Sequence, residues 1–511
     1  MRMFLVLITL FFGATVFGQS NTKKIATPVK TSKPAPMVNK PAPAGYNLQV
    51  QLLPYKNCWL YLGCYYGKYK NMVDSAWVDN NSKATFTGKD KLPGGIYFMV
   101  SPTKTLLFEL LMDDVQQMSI VGDSAKVEQV VIKGSKENDI FSAYTKYLGK
   151  QVPKLNALQA AYKAAKNTAD STNLRNQLIA ENKALTDYRE SIITKNPDCM
   201  LATFFQTVKR PDVPAIPIIN GKPDSLYPYR YVREHFWDGV NFYDDRILRT
   251  PFFDPKLDEY FRYISPEPDS LIQEINYILL SARTGKEMFK YLLGKFTDKY
   301  INPEIMGQDK VFVFLFNNYF SKGDTTWLSA KQKEFIFNRA YSLMANQINE
   351  PAPQITLYDT LGKAQPLYNV TAPFTFIAFW DHTCGHCKEQ IPRIDSIYKA
   401  SWQALGVKIY SVNTYEKLHT DNDSKNAAIK EWSAYLQEKN ISNWVQVFQP
   451  KTQRDEEQKN QQAGYRQLFD VYQTPTFYLL DKDKRIIAKK LSLEQFNDLI
   501  LAKIKNEKVA K

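Results

Sequence analysis

Cys384 and Cys387 stand three positions apart in the run Phe379-Trp380-Asp381-His382-Thr383-Cys384-Gly385-His386-Cys387-Lys388. The preceding FTFIAFW reads as a buried strand, and a helix is expected to open near Cys384. That placement suits thiol–disulfide exchange. The nucleophile in such exchange is the thiolate, and the partial positive charge of a helix N-terminus stabilises it. One turn of helix brings the second thiol close enough to close a ring. Cys384 is therefore expected to be the exposed nucleophile and Cys387 the buried resolving thiol. Gly385 and His386 between them, with Trp380 before them, are expected to tune the pair, an imidazolium at the helix start favouring the Cys384 thiolate.

The remaining cysteines carry no comparable pattern. Cys58 and Cys64 fall in one expected strand, about 20 Å apart along it and beyond disulfide reach. With Cys199 they read as small buried hydrophobes. A metal reading would use His382, Cys384, His386 and Cys387. Those ligands crowd into a short run with no second cluster, so no metal is expected. His235 and His419 stand alone and read as surface or satisfied core residues. A peroxidase of the Pro-x-x-x-Thr/Ser-x-x-Cys type is excluded, because Asp381 and Ile377 occupy the required positions before Cys384.

The elements that must position the pair belong to the last third of the chain. FTFIAFW, VKIYSVNTY, WVQVFQ and the hairpin TFYLLDKDKRIIAKK read as strands. Helices are expected from Cys384, over 426–438, over 465–471 and over 493–504. The polar run 451–462 is expected to be a solvated loop. Upstream, 20–45 is a Pro- and Lys-rich linker. Short strands with turn signals over 46–134 suggest an antiparallel β-sandwich. Helical periodicity over 135–349 suggests an all-α domain, with a helical hairpin over 137–195 and Asp269 and Ser329 as helix N-caps. The fold class is thus multidomain, with an α/β domain at 350–511.

This last segment resembles the TlpA/ResA-like branch of thioredoxin-fold proteins. The likeness rests on the opening Pro353-x-Ile355-x-Leu357-x-Asp359, Phe379-Trp380, Cys384, Cys387, Pro392 and Pro475. The resemblance implies thiol–disulfide interchange without a bound cofactor. It also implies a cis proline at Pro475 facing the cysteines, with the Thr474 backbone pairing with an extended substrate. The Cys-Gly-His-Cys motif matches that of protein disulfide isomerase, whose potential is about −180 mV against about −270 mV for thioredoxin. Three positions depart from the pattern: Thr383 stands where thioredoxins usually carry Trp, Ala378 where they carry a buried Asp, and Gln390 where this branch often carries Glu. Asp381, Glu389 or a water are the candidates to replace that Glu. The segments at 46–134 and 135–349 resemble domains of unknown function that precede such domains in Bacteroidetes envelope proteins.

Bulk composition narrows the setting. Apolar residues make up 44% of 511, which excludes a wholly disordered chain. The net charge of +14 is spread along the chain without a dense basic block, so no nucleic-acid partner is expected. Arg2 and the apolar run 3–16 read as a signal peptide over 1–19. The expected product is an exported protein of the periplasm or cell envelope, not integral to the membrane. Its partners would be envelope protein thiols and disulfides and a membrane electron donor or acceptor. The alternative is an envelope binding or assembly module with an auxiliary redox domain.

Overall fold

The computed structural model describes residues 45–420, 422–441 and 443–509. The expected signal peptide and nearly all of the 20–45 linker lie outside them. The chain divides into two compact units, Met1–Ser265 with Asn276–Leu292, and Pro266–Ile275 with Leu293–Lys511. Helices of the 135–349 segment are thus shared between the units.

The first unit begins with eight strands: β1 (Tyr46–Leu53), β2 (Cys58–Tyr66), β3 (Tyr69–Val78), β4 (Lys83–Gly88), β5 (Gly95–Val100), β6 (Leu106–Met112), β7 (Gln117–Asp123) and β8 (Val131–Lys133). They form two four-stranded sheets, ordered β4-β1-β7-β8 and β3-β2-β5-β6. Alternation sends Leu48, Val50 and Leu52 of β1 into one core with Leu60 and Leu62 of β2 and Met99 of β5. The expected purely antiparallel arrangement is corrected at one ladder, where β1 pairs with β7 in parallel, Leu48 opposite Met118. The chain leaves for the other sheet between these strands, and that crossover lets β7 return in the direction of β1. β5 is buried along its whole length. Its Tyr97 and Met99 enter the shared core, while Ile96, Phe98 and Val100 meet helices on the opposite face.

Those helices are α1 (Lys136–Ala164), α2 (Thr168–Lys195) and α3 (Met200–Val208). Phe141, Tyr144 and Leu148 of α1 pack with Leu185 and Ile192 of α2 beneath the sheet. Cys199 is buried, and its Sγ accepts the Ala202 N–H at the start of α3. The helical expectation for this segment is corrected by a small hairpin, β9 (Ile218–Ile219) with β10 (Lys222–Pro223). Its turn at Asn220-Gly221 has positive φ at both residues, 50° and 75°, the conformation that a two-residue hairpin loop requires.

The helices continue as α4 (Tyr227–His235), α5 (Phe253–Tyr260), α6 (Pro268–Ser281), α7 (Met288–Tyr300), α8 (Asp309–Asn318) and α9 (Ala330–Met344). Ser329 caps α9 in a capping box with Gln332. Asp269 lies inside the first turn of α6 instead of capping it, where its charge still complements the helix dipole.

A seven-stranded sheet follows, with β11 (Thr356–Tyr358), β12 (Ala364–Pro366), β13 (Thr375–Trp380), β14 (Lys408–Asn413), β15 (Val445–Phe448), β16 (Thr476–Leu480) and β17 (Ile486–Lys489) in the order β12-β11-β15-β14-β13-β16-β17. β13 is parallel to β14 and antiparallel to β16. Phe376, Ala378 and Trp380 face one core and Ile377 and Phe379 the other, so every residue of β13 is buried. The first core also takes residues of α10 (Gly385–Ile397), α11 (Asn422–Glu438) and α14 (Leu493–Val509). Residues 451–459, expected as a loop, form helix α12 (Lys451–Lys459) with no buried residue. Its Lys, Gln, Glu and Arg residues favour helix without an apolar face to reveal it. α13 (Tyr465–Leu468) precedes β16.

Candidate functional site: a dithiol at a helix N-terminus

The C-terminal end of β13 opens into the turn Asp381–Thr383. Asp381 Oδ1 accepts the Thr383 N–H at 2.7 Å and its hydroxyl at 2.8 Å. The Cys384 N–H returns to the Asp381 carbonyl at 3.1 Å. This turn releases the chain into α10 with Cys384 as the N-cap residue, its backbone extended at ψ 130°. Pro392 sits inside α10.

The two thiols occupy unlike environments. Cys384 is half-buried, Cys387 is fully buried, and both are free thiols. Cys387 Sγ accepts the Asp381 N–H at 3.5 Å. Cys384 Sγ lies 3.7 Å from the Thr474 carbonyl, to which it donates. Partial burial alone would raise the Cys384 thiol. The Cys387 backbone N–H, the Cys387 thiol, Thr474 and the His386 backbone together outweigh it, so the net direction is below the ordinary thiol value. Burial is the main cause that pushes Cys387 up to about 12, with the neighbouring Cys384 adding to the rise. One thiol is therefore predisposed to ionise and its neighbour to stay protonated.

The other sequence-derived residues take definite places. The Thr474–Pro475 peptide is cis, and Thr474 stands directly against Cys384. Trp380 is fully buried in the core that holds Cys387, and its indole N–H donates to Ser411 Oγ at 2.7 Å. The His386 side chain is exposed, and the part of it that reaches Cys384 is the backbone N–H. A Cβ placed on Gly385 would meet nothing within 4 Å, so packing does not demand glycine there. Gln390 is partly buried and Glu389 exposed. Asp381 reaches Cys387 through its backbone N–H while its carboxylate serves Thr383.

His382 enters the site in a way the sequence did not suggest. It is buried beneath the Asp381–Thr383 turn, with Nδ1 3.1 Å from Asn413 Nδ2 and its ring 4.7 Å from that of Tyr415. Burial lowers its pKa, and a neutral imidazole there accepts from the Asn413 amide. Asn413 ends β14 beside β13, a neighbour that only the sheet order discloses. His419 is likewise buried, its Nδ1 2.7 Å from the Gln449 carbonyl. His235 is partly exposed and pairs with Asp238. Among the described residues, no three His, Cys, Asp or Glu side chains gather as metal ligands, and no helix is long and apolar enough to cross a membrane.

A family of domains of unknown function, DUF5106, matches residues 166–346. No curated protein matches the chain in sequence. Among solved structures, a thioredoxin-like protein from Bacteroides caccae is 17% identical with a TM-score of 0.42, over 58% of this chain and 99% of its own. A domain of a possible thiol-disulfide isomerase from Cytophaga hutchinsonii is 27% identical with a TM-score of 0.25, over 32% of this chain and 96% of its own. The thioredoxin domain of a thiol-disulfide oxidoreductase from Bacteroides vulgatus is 22% identical with a TM-score of 0.24, over 30% of this chain and 96% of its own. Each of these likenesses extends over only part of the present chain.

Proposed function

We propose that this chain is an exported thiol–disulfide oxidoreductase of the TlpA/ResA-like kind, acting on envelope proteins through Cys384 and Cys387. On this reading an α/β thioredoxin domain follows a β-sandwich at 46–134 and an all-α segment at 135–349. The observation that supports it is the placement of the two thiols at the start of α10, Cys384 half-buried at the N-cap against the Thr474 carbonyl and Cys387 fully buried one turn on.

In the reducing direction the Cys384 thiolate attacks one sulfur of a client disulfide. The client S–S bond breaks, a Cys384–client disulfide forms, and the departing client thiolate takes a proton. Cys387 then gives up its proton and attacks the Cys384 sulfur. The second client thiolate leaves, and the enzyme holds the two-electron-oxidised Cys384–Cys387 disulfide. A membrane electron donor would restore the dithiol. In the oxidising direction the same steps run backwards and a membrane acceptor takes the electrons. An extended client lying along Thr474 and Pro475 adds main-chain hydrogen bonds beside the sulfur being attacked.

The test is mixed-disulfide trapping in an envelope extract, together with equilibration of the pair against glutathione. Cys387→Ser accumulates covalent adducts through Cys384, whereas Cys384→Ser forms none. A potential near −250 mV or lower, on the order of thioredoxin's, assigns a reductase, and one near about −180 mV an oxidase or isomerase. If neither variant traps a client and the pair does not equilibrate, this reading fails. The binding-module alternative then takes its place.

A further inference from the structure

A groove of about 480 Å³ starts at Pro475 and is lined by Gln473, Arg339, Asp470, Lys490, Arg393 and Glu494, among others. All of these residues lie in the second compact unit. The volume falls within the range of ordinary ligand clefts. Thr474, which touches Cys384 Sγ, immediately precedes the groove. A client cysteine placed over Cys384 and a chain continuing past Pro475 would bring the neighbouring client residues into it.

The groove has a floor built by a residue outside the thioredoxin-like domain. Asp470 has no exposed side-chain surface and is shared by Arg339 of α9 and by Lys490. Arg339 is also nearly buried, and its other donors go to the Ile301 carbonyl at 3.3 Å and to Asn302 Oδ1 at 2.8 Å. That cation is committed to structure.

The remaining cations are accessible. Lys490 keeps 42% of its side chain exposed. An ammonium has three donors, so its contact with Asp470 leaves donors over. Arg393 is 54% exposed and has Glu494 as its ion-pair partner at 2.5 Å. The lining thus carries three cations against two carboxylates, one of which is wholly enclosed.

We infer that this groove is a client-selecting subsite for an extended segment bearing a carboxylate a few residues from its reactive cysteine. Lys490 and Arg393 read the charge, and Arg339 holds the groove's floor. The inference rests on the oxidoreductase reading and names the client class for the same site.

The test uses the full-length dithiol protein and three disulfide-linked peptides, identical except for Glu, Gln or Lys placed two to four residues from the cysteine. Hydroxyethyl disulfide serves as an uncharged probe of Cys384 itself. At low salt the Glu peptide reacts about fivefold faster than the Lys peptide, the size that one or two partly exposed ion pairs supply. The preference shrinks at about 1 M salt. Arg393→Gln reduces it, and Arg393→Gln with Lys490→Gln removes it, both without changing the hydroxyethyl disulfide rate. Equal peptide rates, or a preference that survives in the double variant, would overturn the subsite. Failure of every probe, hydroxyethyl disulfide included, would instead overturn the oxidoreductase reading beneath it.

Discussion

At the scale of single residues, the dithiol is a pair made unequal by burial. Alkylation by iodoacetamide resolves this directly. Cys384 reacts at full rate down to a lower pH than an ordinary thiol with a pKa of about 8.5, and the rate declines as pH falls through its lowered pKa. In Cys384→Ser the neighbouring thiol's part of the rise is lost, but burial still holds Cys387 above an ordinary thiol, so it reacts only at higher pH than Cys384 does. A second residue-scale effect lies far along the chain. Lys256 is buried, donates to the Lys209 carbonyl at 2.9 Å, and lies over the rings of Phe236 and Trp237. Burial lowers its pKa from 10.5 to about 7. Between those values the unfolded chain binds a proton that the folded one does not, so stability rises with pH across the window. The slope approaches about 1.4 kcal/mol per pH unit. Urea unfolding at pH 7 and pH 9 should show this rise, and Lys256→Met should abolish it. The spacing of Cys384 and Cys387 was legible in the sequence. His382 was not, because the residue that engages it, Asn413, arrives from another strand.

At the scale of elements, local signals served well where they were chemically explicit. Ser329, expected as an N-cap, does cap α9, in a capping box completed by Gln332. Ser329→Ala should therefore cost about 1 kcal/mol, read as a lower urea midpoint with unchanged slope. Signals failed where propensity acted without an apolar stripe, as in α12, whose residues are all outside the core. A glycine at close quarters was equally invisible. A Cβ on Gly63 of β2 would lie 2.3 Å from Phe98 Cε2. Gly63→Ala should destabilise by about 1–3 kcal/mol through forced displacement of that ring, measurable as a loss of thermal midpoint.

At the scale of the molecule, the C-terminal sheet domain and the helices before it share buried charges. Lys489 of β17 donates to Asp309 of α8 at 2.7 Å and to the Asn346 carbonyl at 2.7 Å. Arg339 of α9 and Lys490 converge on Asp470. Removing Arg339 strands the Asp470 oxygen it pairs and leaves Lys490 as the remaining cation, so Arg339→Met should cost about 1–3 kcal/mol. In the double variant Arg339→Met with Asp470→Asn, the stranded carboxylate is gone and Lys490 reaches water. The loss should then be clearly smaller than the sum of the singles in denaturant titrations.

The sequence by itself determined the features whose cause is local: the spacing that puts two thiols on one helical turn, the alternation of buried strands, the cap of α9. Tertiary structure alone decided the rest. It made β7 return parallel to β1, buried His382 against Asn413, and brought Arg339 under the loop that leads to Pro475. Burial and charge pairing depend on atoms brought close by the folded path of the chain, and no short stretch of residues encodes that distance.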